Sequence, residues 1–314
     1  MKKILFLVGP TGVGKSEIAL ALTKKLNGEI ISCDAMQVYR GMDLGTAKPT
    51  ASDQKRVRHH LIDLISPRAE CSVFQYRALA LKAIQHISSK DLLPIAVGGS
   101  GFYIKALIDG MMPHPARESS FRKELEDLST REGVSVLYSR LKEIDLKRAQ
   151  AIHPNDERRI IRALEIFEQS RQKPSEWNLK NETLTAHGFQ PVIFGFRRER
   201  AELYERIEGR VDQMFEAGWV QEVKKLKARG FSRTARGAIG YQEILEYLNG
   251  KCTLEEAILR TKKRTRHLAK KQMTWFRKDR RIKWISIEGG RFKLRASKQI
   301  IKTLNLKGFY SHAS

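Results

Sequence analysis

The sequence predicts an α/β protein: a parallel sheet flanked by helices, interrupted by an all-helical insertion and followed by a basic, helical C-terminal region. Three observations lead there. Short apolar runs alternate with helical patterns through the first third of the 314 residues, as in βαβ units that build a parallel sheet. A glycine-rich loop of fixed spacing joins the first run to the first helix. Strand signals then vanish across residues 116–189 and return once, at 191–196.

The apolar run 4–8 is the first expected strand. It leads into Gly9, Pro10, Thr11, Gly12, Val13, Gly14, Lys15 and Ser16, which fit G-x-x-x-x-G-K-[ST], and a helical pattern follows over 17–25. In that setting the glycines let the backbone curl so that N–H groups point at phosphate oxygens, and the helix adds the positive end of its dipole. Lys15 supplies a mobile cation and Ser16 a hydroxyl for Mg²⁺. A di- or triphosphate ligand on a P-loop NTPase-like sheet is therefore expected. Runs at 29–32, 61–64 and 94–97 predict three further strands, and Val73, Phe74, Ala78, Leu81 and Ile84 recur at helical spacing before the last of them. Gly98, Gly99, Ser100 and Gly101 then close the fourth strand at the carboxyl edge, where ligands of open α/β sheets bind.

From Met112, Pro113, His114 and Pro115 the pattern turns to charged helices over 121–128, 135–144 and 155–170. The insertion is thus assigned to 116–189 and the core to 1–115 and 190–314. Beyond the strand at 191–196, a helix carries Leu203, Ile207, Val211, Met214 and Phe215. Between Arg260 and Lys283 there are twelve Lys or Arg against one acid, Asp279. Leu254, Ile258, Thr261, Thr265, Leu268, Gln272, Met273 and Phe276 nevertheless fall at i, i+3, i+4 spacing, which predicts a helix with a buried stripe. A charge run without compensating acids is expected to lie against phosphates, with Lys262, Lys263 and Arg266 among the contacts. Trp275 and Phe276 could stack on bases, with core packing the default for at least one.

Lys and Arg total 59 against 35 Asp and Glu, a formal charge of +24, far beyond what solubility requires and suited to a polyanionic partner. Cys33, Cys71 and Cys252 are scattered without metal-ligand spacing, which predicts reduced thiols. No stretch approaches the ~20 apolar residues of a membrane span, and Gly9 and Pro10 cut the first apolar run too short for a secretion signal. A cytoplasmic protein without a membrane partner is expected.

Four more segments, 32–49 (SCDAMQVYRGMDLGTAKP), 59–63 (HHLID), 153–156 (HPND) and 268–277 (LAKKQMTWFR), occur in this order beside the phosphate loop. Together they resemble the tRNA dimethylallyltransferases over nearly the whole chain. The resemblance implies transfer of a dimethylallyl group from dimethylallyl diphosphate to the exocyclic N6 of the adenosine 3′ to the anticodon, with Mg²⁺ and without ATP. The residues agree with that implication in one respect: the strand at 94–97 runs into Gly98 rather than into an acid that could grip Mg²⁺, and Asp63 follows only two apolar residues.

Adenine N6 is a weak nucleophile and needs a base to take its proton. The resemblance gives that role to Asp34. It places the diphosphate on Gly9 to Ser16, with Arg210 reaching it, and puts Ser100 and Arg122 against tRNA. Extrusion of the target base from the anticodon stack is implied as well, with Asp34, Ala35, Met36 and Gln37 holding it and the Gln37 amide offered to its Watson–Crick edge. Arg158, Arg159, Ile160, Ile161 and Arg162 of the insertion, with Arg236, Gly237, Ala238, Ile239, Gly240, Tyr241 and Lys271, match segments that grip the anticodon stem-loop. His59 aligns with a family histidine. Two positions depart from the pattern: Ala35 stands where Ser is common, and Arg117-Glu118 where an Asp-containing stretch is common. A monomer is expected. The residues by themselves leave two rivals open, a P-loop small-molecule kinase and an RNA-binding protein that uses a nucleotide as a switch; the kinase would not need a charge of +24.

Overall fold

The computed structural model describes residues 1–111, 119–177 and 179–304. The expected domain boundary at 115/116 and the Arg117-Glu118 departure lie outside them. The chain forms two compact units, one of Met1–Asp109 with the chain from Leu184 on, the other of Gly110–Thr183. Leu184 and Phe189, expected in the insertion, are instead core residues of the first unit, Phe189 as the first residue of a strand.

The described residues of that unit form six parallel strands in the order β3-β2-β4-β1-β5-β6. They are β1 (Lys2–Val8), β2 (Gly28–Ser32), β3 (His59–His60), β4 (Leu93–Gly98), β5 (Phe189–Arg197) and β6 (Lys283–Ser286). β1 is apolar on both faces because both are covered. Leu5 and Leu7 face one core cluster, whereas Ile4, Phe6 and Val8 face the other. Complete burial of each such side chain contributes about 1.5–3 kcal/mol. The register pairs Val8 with Gly98, Val8 with Gly195 and Ser32 with Val97. The loops that follow β1, β2 and β4 therefore leave the sheet at one level.

The helices of this unit are α1 (Lys15–Leu26), α2 (Ala51–Arg56), α3 (Val73–Ser89) and α4 (Gly101–Asp109), then, past the helical unit, α9 (Arg200–Glu216), α10 (Trp219–Arg229), α11 (Arg233–Arg236), α12 (Tyr241–Leu248), α13 (Leu254–Phe276) and α14 (Phe292–Leu304). α13 starts on a capping box: Thr253 Oγ accepts from Glu256 N–H and the Glu256 carboxylate accepts from Thr253 N–H, which satisfies two otherwise orphaned donors. The second unit contains α5 (Ser119–Glu132), α6 (Val134–Ile144), α7 (Leu146–Gln150) and α8 (Glu157–Ser170) around Leu125, Leu137, Leu141 and Leu164. Among the described residues no helix is long and apolar enough to cross a membrane, and all three cysteines are free.

Two expectations need correction here. The strand placed at 61–64 is instead the pair His59–His60, because Leu61 and Asp63 adopt φ of 64° and 54°, a left-handed backbone that cannot continue a strand. The stripe on α13 is also shifted. Its buried row is Ala257, Thr261, Thr265 and Ala269, closed by Phe276, while Leu268 is exposed. Small side chains four residues apart let α13 lie close to α9 and α12, its two main helical neighbours, and each threonine hydroxyl donates to the carbonyl one turn back.

Candidate active site

At the carboxyl edge of the sheet the first unit opens a cavity of about 1290 Å³ lined by the phosphate loop, Asp34–Gln37, Gly98–Tyr103, Arg210 and the C-terminal half of α13. A small-molecule cleft takes roughly 300–1,000 Å³, so this one has room for a small donor and a base together.

Glycine is required along the phosphate loop. Gly9, Gly12 and Gly14 have φ of 146°, 81° and 106°, and a Cβ on Gly9 would lie 2.8 Å from the Phe196 carbonyl oxygen. The chain can turn there only without a side chain. Lys15 Nζ folds back to donate to the carbonyls of Gly9 (2.9 Å) and Pro10 (2.7 Å). Burial, reinforced by the Arg210 guanidinium and opposed by Asp34, brings the Lys15 pKa down to about 7. Arg210 is half-buried on α9. One of its terminal nitrogens donates to Thr11 Oγ1 at 2.5 Å, while its Nε has no partner among the described residues. Ser16 is exposed at the start of α1 and lines the cavity.

Asp34 leaves β2 facing this cluster. Its Oδ1 accepts from Met36 N–H at 2.8 Å. Burial pushes its carboxyl above the usual range, and the Met36 and Gln37 amides, Lys15 and Arg210 pull the other way. Ser100 Oγ accepts from Ala35 N–H at 3.2 Å, which fixes the loop behind Asp34. Ala35 therefore contributes its backbone, and a hydroxyl there is not needed for this bond.

The Gln37 amide is not offered to a ligand. Its oxygen accepts from Ser32 Oγ (2.7 Å) and its nitrogen donates to the carbonyls of Thr46 (3.1 Å) and Ala47 (3.2 Å). Lys48, with a side chain 3% exposed, ties this long loop down through Asp43 and Asp63. Asp63 is thus a structural counter-ion outside the cavity lining. His59 lines the cavity with Nδ1 2.8 Å from the Val57 carbonyl, and burial lowers its pKa.

The remaining expected contacts separate by burial. Lys271 is exposed and lines the cavity, as do Gly237, Ala238 and Ile239; Arg236 is exposed on α11. Tyr241 is fully buried, its hydroxyl donating to Glu222 at 2.6 Å, and the backbone of Gly240 packs on Trp219. Both support the wall of the cavity rather than present a side chain to RNA. Trp219 itself was not signalled by the sequence. Its ring is seated between Gly45 and Gly240, where a Cβ would approach to 2.2 and 1.9 Å. In the helical unit, Ile160 and Ile161 are core residues and are corrected from contacts to packing. Arg158 and Arg159 are exposed. Arg122 and Arg162 both reach the buried Glu165, at 3.4 and 3.1 Å.

The basic helix α13 also divides. Arg260, Lys262, Arg264 and Arg266 pair with Glu246, Asp212, Glu243 and Glu208 from α12 and α9. Lys262 and Arg266, expected on phosphates, are therefore already neutralised. Lys263, Lys270, Lys271, Arg277 and Lys278 are exposed, with no ion pair among the described residues. Trp275 is 42% exposed and Phe276 3%, so the first is presented and the second is core.

The family model "IPP transferase" matches residues 37–279 and "Isopentenyl transferase" matches residues 2–65. The chain is 45% identical over 288 residues to tRNA dimethylallyltransferase of Carboxydothermus hydrogenoformans, covering 90% of this chain and 91% of that one. It is 43% identical over 290 residues to tRNA dimethylallyltransferase 2 of Geotalea uraniireducens, covering 90% and 92%. The crystal structure of the full-length tRNA isopentenylpyrophosphate transferase of Bacillus halodurans superposes with a TM-score of 0.71 at 41% identity over 97% of each chain. A eukaryotic dimethylallyltransferase acting on tRNA gives 0.80 at 30% identity, covering 96% of this chain and 78% of that one. The chain belongs to the IPP transferase family, with the tRNA dimethylallyltransferases.

Proposed function

We propose that the protein transfers the dimethylallyl group of dimethylallyl diphosphate to N6 of the adenosine 3′-adjacent to the anticodon of tRNA and releases diphosphate. The observation that carries this reading is the half-buried Asp34 carboxylate in one cavity with the phosphate loop, where Lys15 of the loop and Arg210 of α9 act on it electrostatically. In the transfer, the bond from N6 to the allylic carbon forms as the carbon–oxygen bond to diphosphate breaks. The N6 proton goes to Asp34, and the electron pair leaves on the diphosphate. A carboxylate raised by burial is a stronger base than an exposed one and is suited to this task. Fixed donors stabilise the charge that gathers on the leaving group: the loop N–H groups, Lys15, and Arg210 with its unpartnered Nε.

Mg²⁺ fits the donor set. The described residues contain no cluster of three His, Cys, Asp or Glu side chains able to enclose a metal, and Ser16 offers a hard oxygen at the loop. Mg²⁺ is usually held by one or two protein oxygens together with substrate phosphates and water. Ser16 would hold it there, where it would neutralise diphosphate charge. The tRNA is read through Lys271, Ser100, Arg236 and the unpaired stretch of α13, with Arg158 and Arg159 on the helical unit.

Incubation with radiolabelled dimethylallyl diphosphate and unmodified tRNA, with labelled ATP in parallel, tests the reading. Label from the prenyl donor should enter tRNA while ATP is untouched. Phosphate release from ATP without prenyl transfer would overturn it.

A further inference from the structure

Gln272, on the face of α13 that lines the cavity, makes two side-chain bonds that tie the helix to the sheet's carboxyl edge. Its Oε1 accepts from Thr11 N–H at 2.8 Å, and its Nε2 donates to the Gly99 carbonyl at 3.0 Å. One amide from α13 thus spans the loop after β1 and the loop after β4. Each partner leads to a reacting group. Thr11 is also the residue whose hydroxyl receives Arg210, and Gly99 precedes Ser100, whose Oγ receives the Ala35 N–H beside Asp34. Gln272 therefore stands between the diphosphate side of the cavity and the base side. Gly99 leaves it no slack, since a Cβ there would lie 2.4 Å from the Gln272 nitrogen. The same stretch of helix is otherwise committed to the cavity wall: Trp275 lies against Gly101, where a Cβ would come within 2.2 Å, and Lys271 lines the opening.

We infer that Gln272 is a positioning residue for the transfer step, a spacer that holds the phosphate loop and the Asp34 loop at the separation the reaction needs. The inference rests on the prenyl-transfer reading above. Its physical basis is that Thr11 N–H is committed to Gln272, so the donor is left to the loop amides beyond it. Loss of the amide should not empty the donor site. It should let the two loops shift relative to each other, and displacement of reacting groups by about 1 Å costs on the order of 10²-fold in rate. Ground-state binding of a diphosphate, which involves the β1 loop and Arg210 but not the Asp34 loop, should be nearly indifferent to the change.

The experiment compares wild type, Gln272→Ala and Gln272→Glu. Glutamate keeps the size and the acceptor for Thr11 but sets a carboxylate oxygen against the Gly99 carbonyl. Single-turnover transfer from dimethylallyl diphosphate to unmodified tRNA is measured for each, together with binding of inorganic pyrophosphate by calorimetry without RNA. Both variants should lose roughly 10- to 100-fold in the transfer rate, while pyrophosphate affinity and the Michaelis constant for the donor stay within about threefold. A transfer rate within twofold of wild type in both variants would overturn the inference. So would a loss of pyrophosphate affinity as large as the loss of rate, because Gln272 would then merely prop up the loop. Bound pyrophosphate also reports that a variant has folded. Wild-type protein that binds pyrophosphate yet transfers nothing to tRNA would overturn the functional reading instead, and the inference with it.

Discussion

The division of α13 into a paired and an unpaired stretch makes a quantitative prediction about RNA binding. Consider one variant with Lys270, Arg277 and Lys278 changed to Gln, and a second with Arg260, Lys262 and Arg266 changed to Gln. The two remove the same charge, the first from the end of α13 and the residues that follow it, the second from the helix body. The first three side chains are exposed and without ion pairs among the described residues, so each that meets a phosphate releases counterions. The slope of log affinity on log salt should therefore flatten by about 0.7–0.9 per contact, roughly 2 to 2.7 for three. Between about 50 and 200 mM salt, wild type should lose about 15- to 40-fold more affinity than this variant. In the second variant the lost cations were held by Glu246, Asp212 and Glu208, and the slope should change by less than about one contact's worth, 0.7. Exposed pairs of this kind contribute only ~0–1 kcal/mol each to stability. Arg264 is left intact because its partner Glu243 is 2% exposed, and a stranded buried carboxylate would unfold the comparison. Fluorescence anisotropy of labelled tRNA across the salt series gives both slopes, and circular dichroism checks the fold. Equal flattening by the two variants would refute the division of the helix.

Three further outcomes follow from the geometry. Asp34→Asn should lower the transfer rate by about 10²–10⁴-fold while tRNA affinity stays within a few-fold; in wild type the rate should rise with pH as Asp34 deprotonates, at a midpoint above the usual carboxylate range because burial raises it, and a rate flat through that region would exclude Asp34 as the base. Lys15, with a pKa near 7 in the free site, should take up a proton when pyrophosphate arrives above that pH, so affinity should fall as pH rises through it; calorimetry in buffers of different ionisation enthalpy should detect the uptake in wild type and not in Lys15→Ala. Gly240→Ala places a Cβ 1.9 Å from Trp219 at a φ of 85°, which should cost about 2–5 kcal/mol in urea unfolding from overpacking and left-handed strain, and Trp219→Phe in the same chain should recover part of it.

Much of the core was readable because each signal has a single physical cause. β1 is apolar from Ile4 to Val8 since both its faces are covered there, and the loop glycines are fixed by backbone angles that other residues rarely adopt. Asp34 beside Lys15 was legible only through resemblance, since nothing in a lone aspartate after a strand marks it as facing the loop's lysine. The misplaced third strand arose because the apolar stretch 61–64 looks extended, whereas the real pair His59–His60 is polar and the turn at Leu61 leaves no mark in composition. β6 was missed because it begins at Lys283, the last residue of the charge run, and is only four residues long. The pairing along α13 could not be seen at all, because its acids sit on other helices, up to 58 residues away for Glu208 and Arg266. Ile160, Ile161 and Tyr241 were swept in with neighbouring motif residues, since a matched segment does not say which of its side chains face inward.

The place where the helical unit departs from the sheet unit has its own consequence. Leu184 N–H donates to the Ile108 carbonyl at 2.9 Å, and just beyond, a Cβ on Gly110 would touch the Glu182 backbone at 2.8 Å. The outgoing and returning chains therefore run side by side and are stapled on the sheet side. For the sheet unit, everything from Gly110 to Thr183 amounts to one closed loop whose ends are already joined, and the entropy of closing a loop grows only slowly with its length. A helical segment of different length could be closed at this junction at little further entropic cost to the sheet unit, because the ends it must join are already held together.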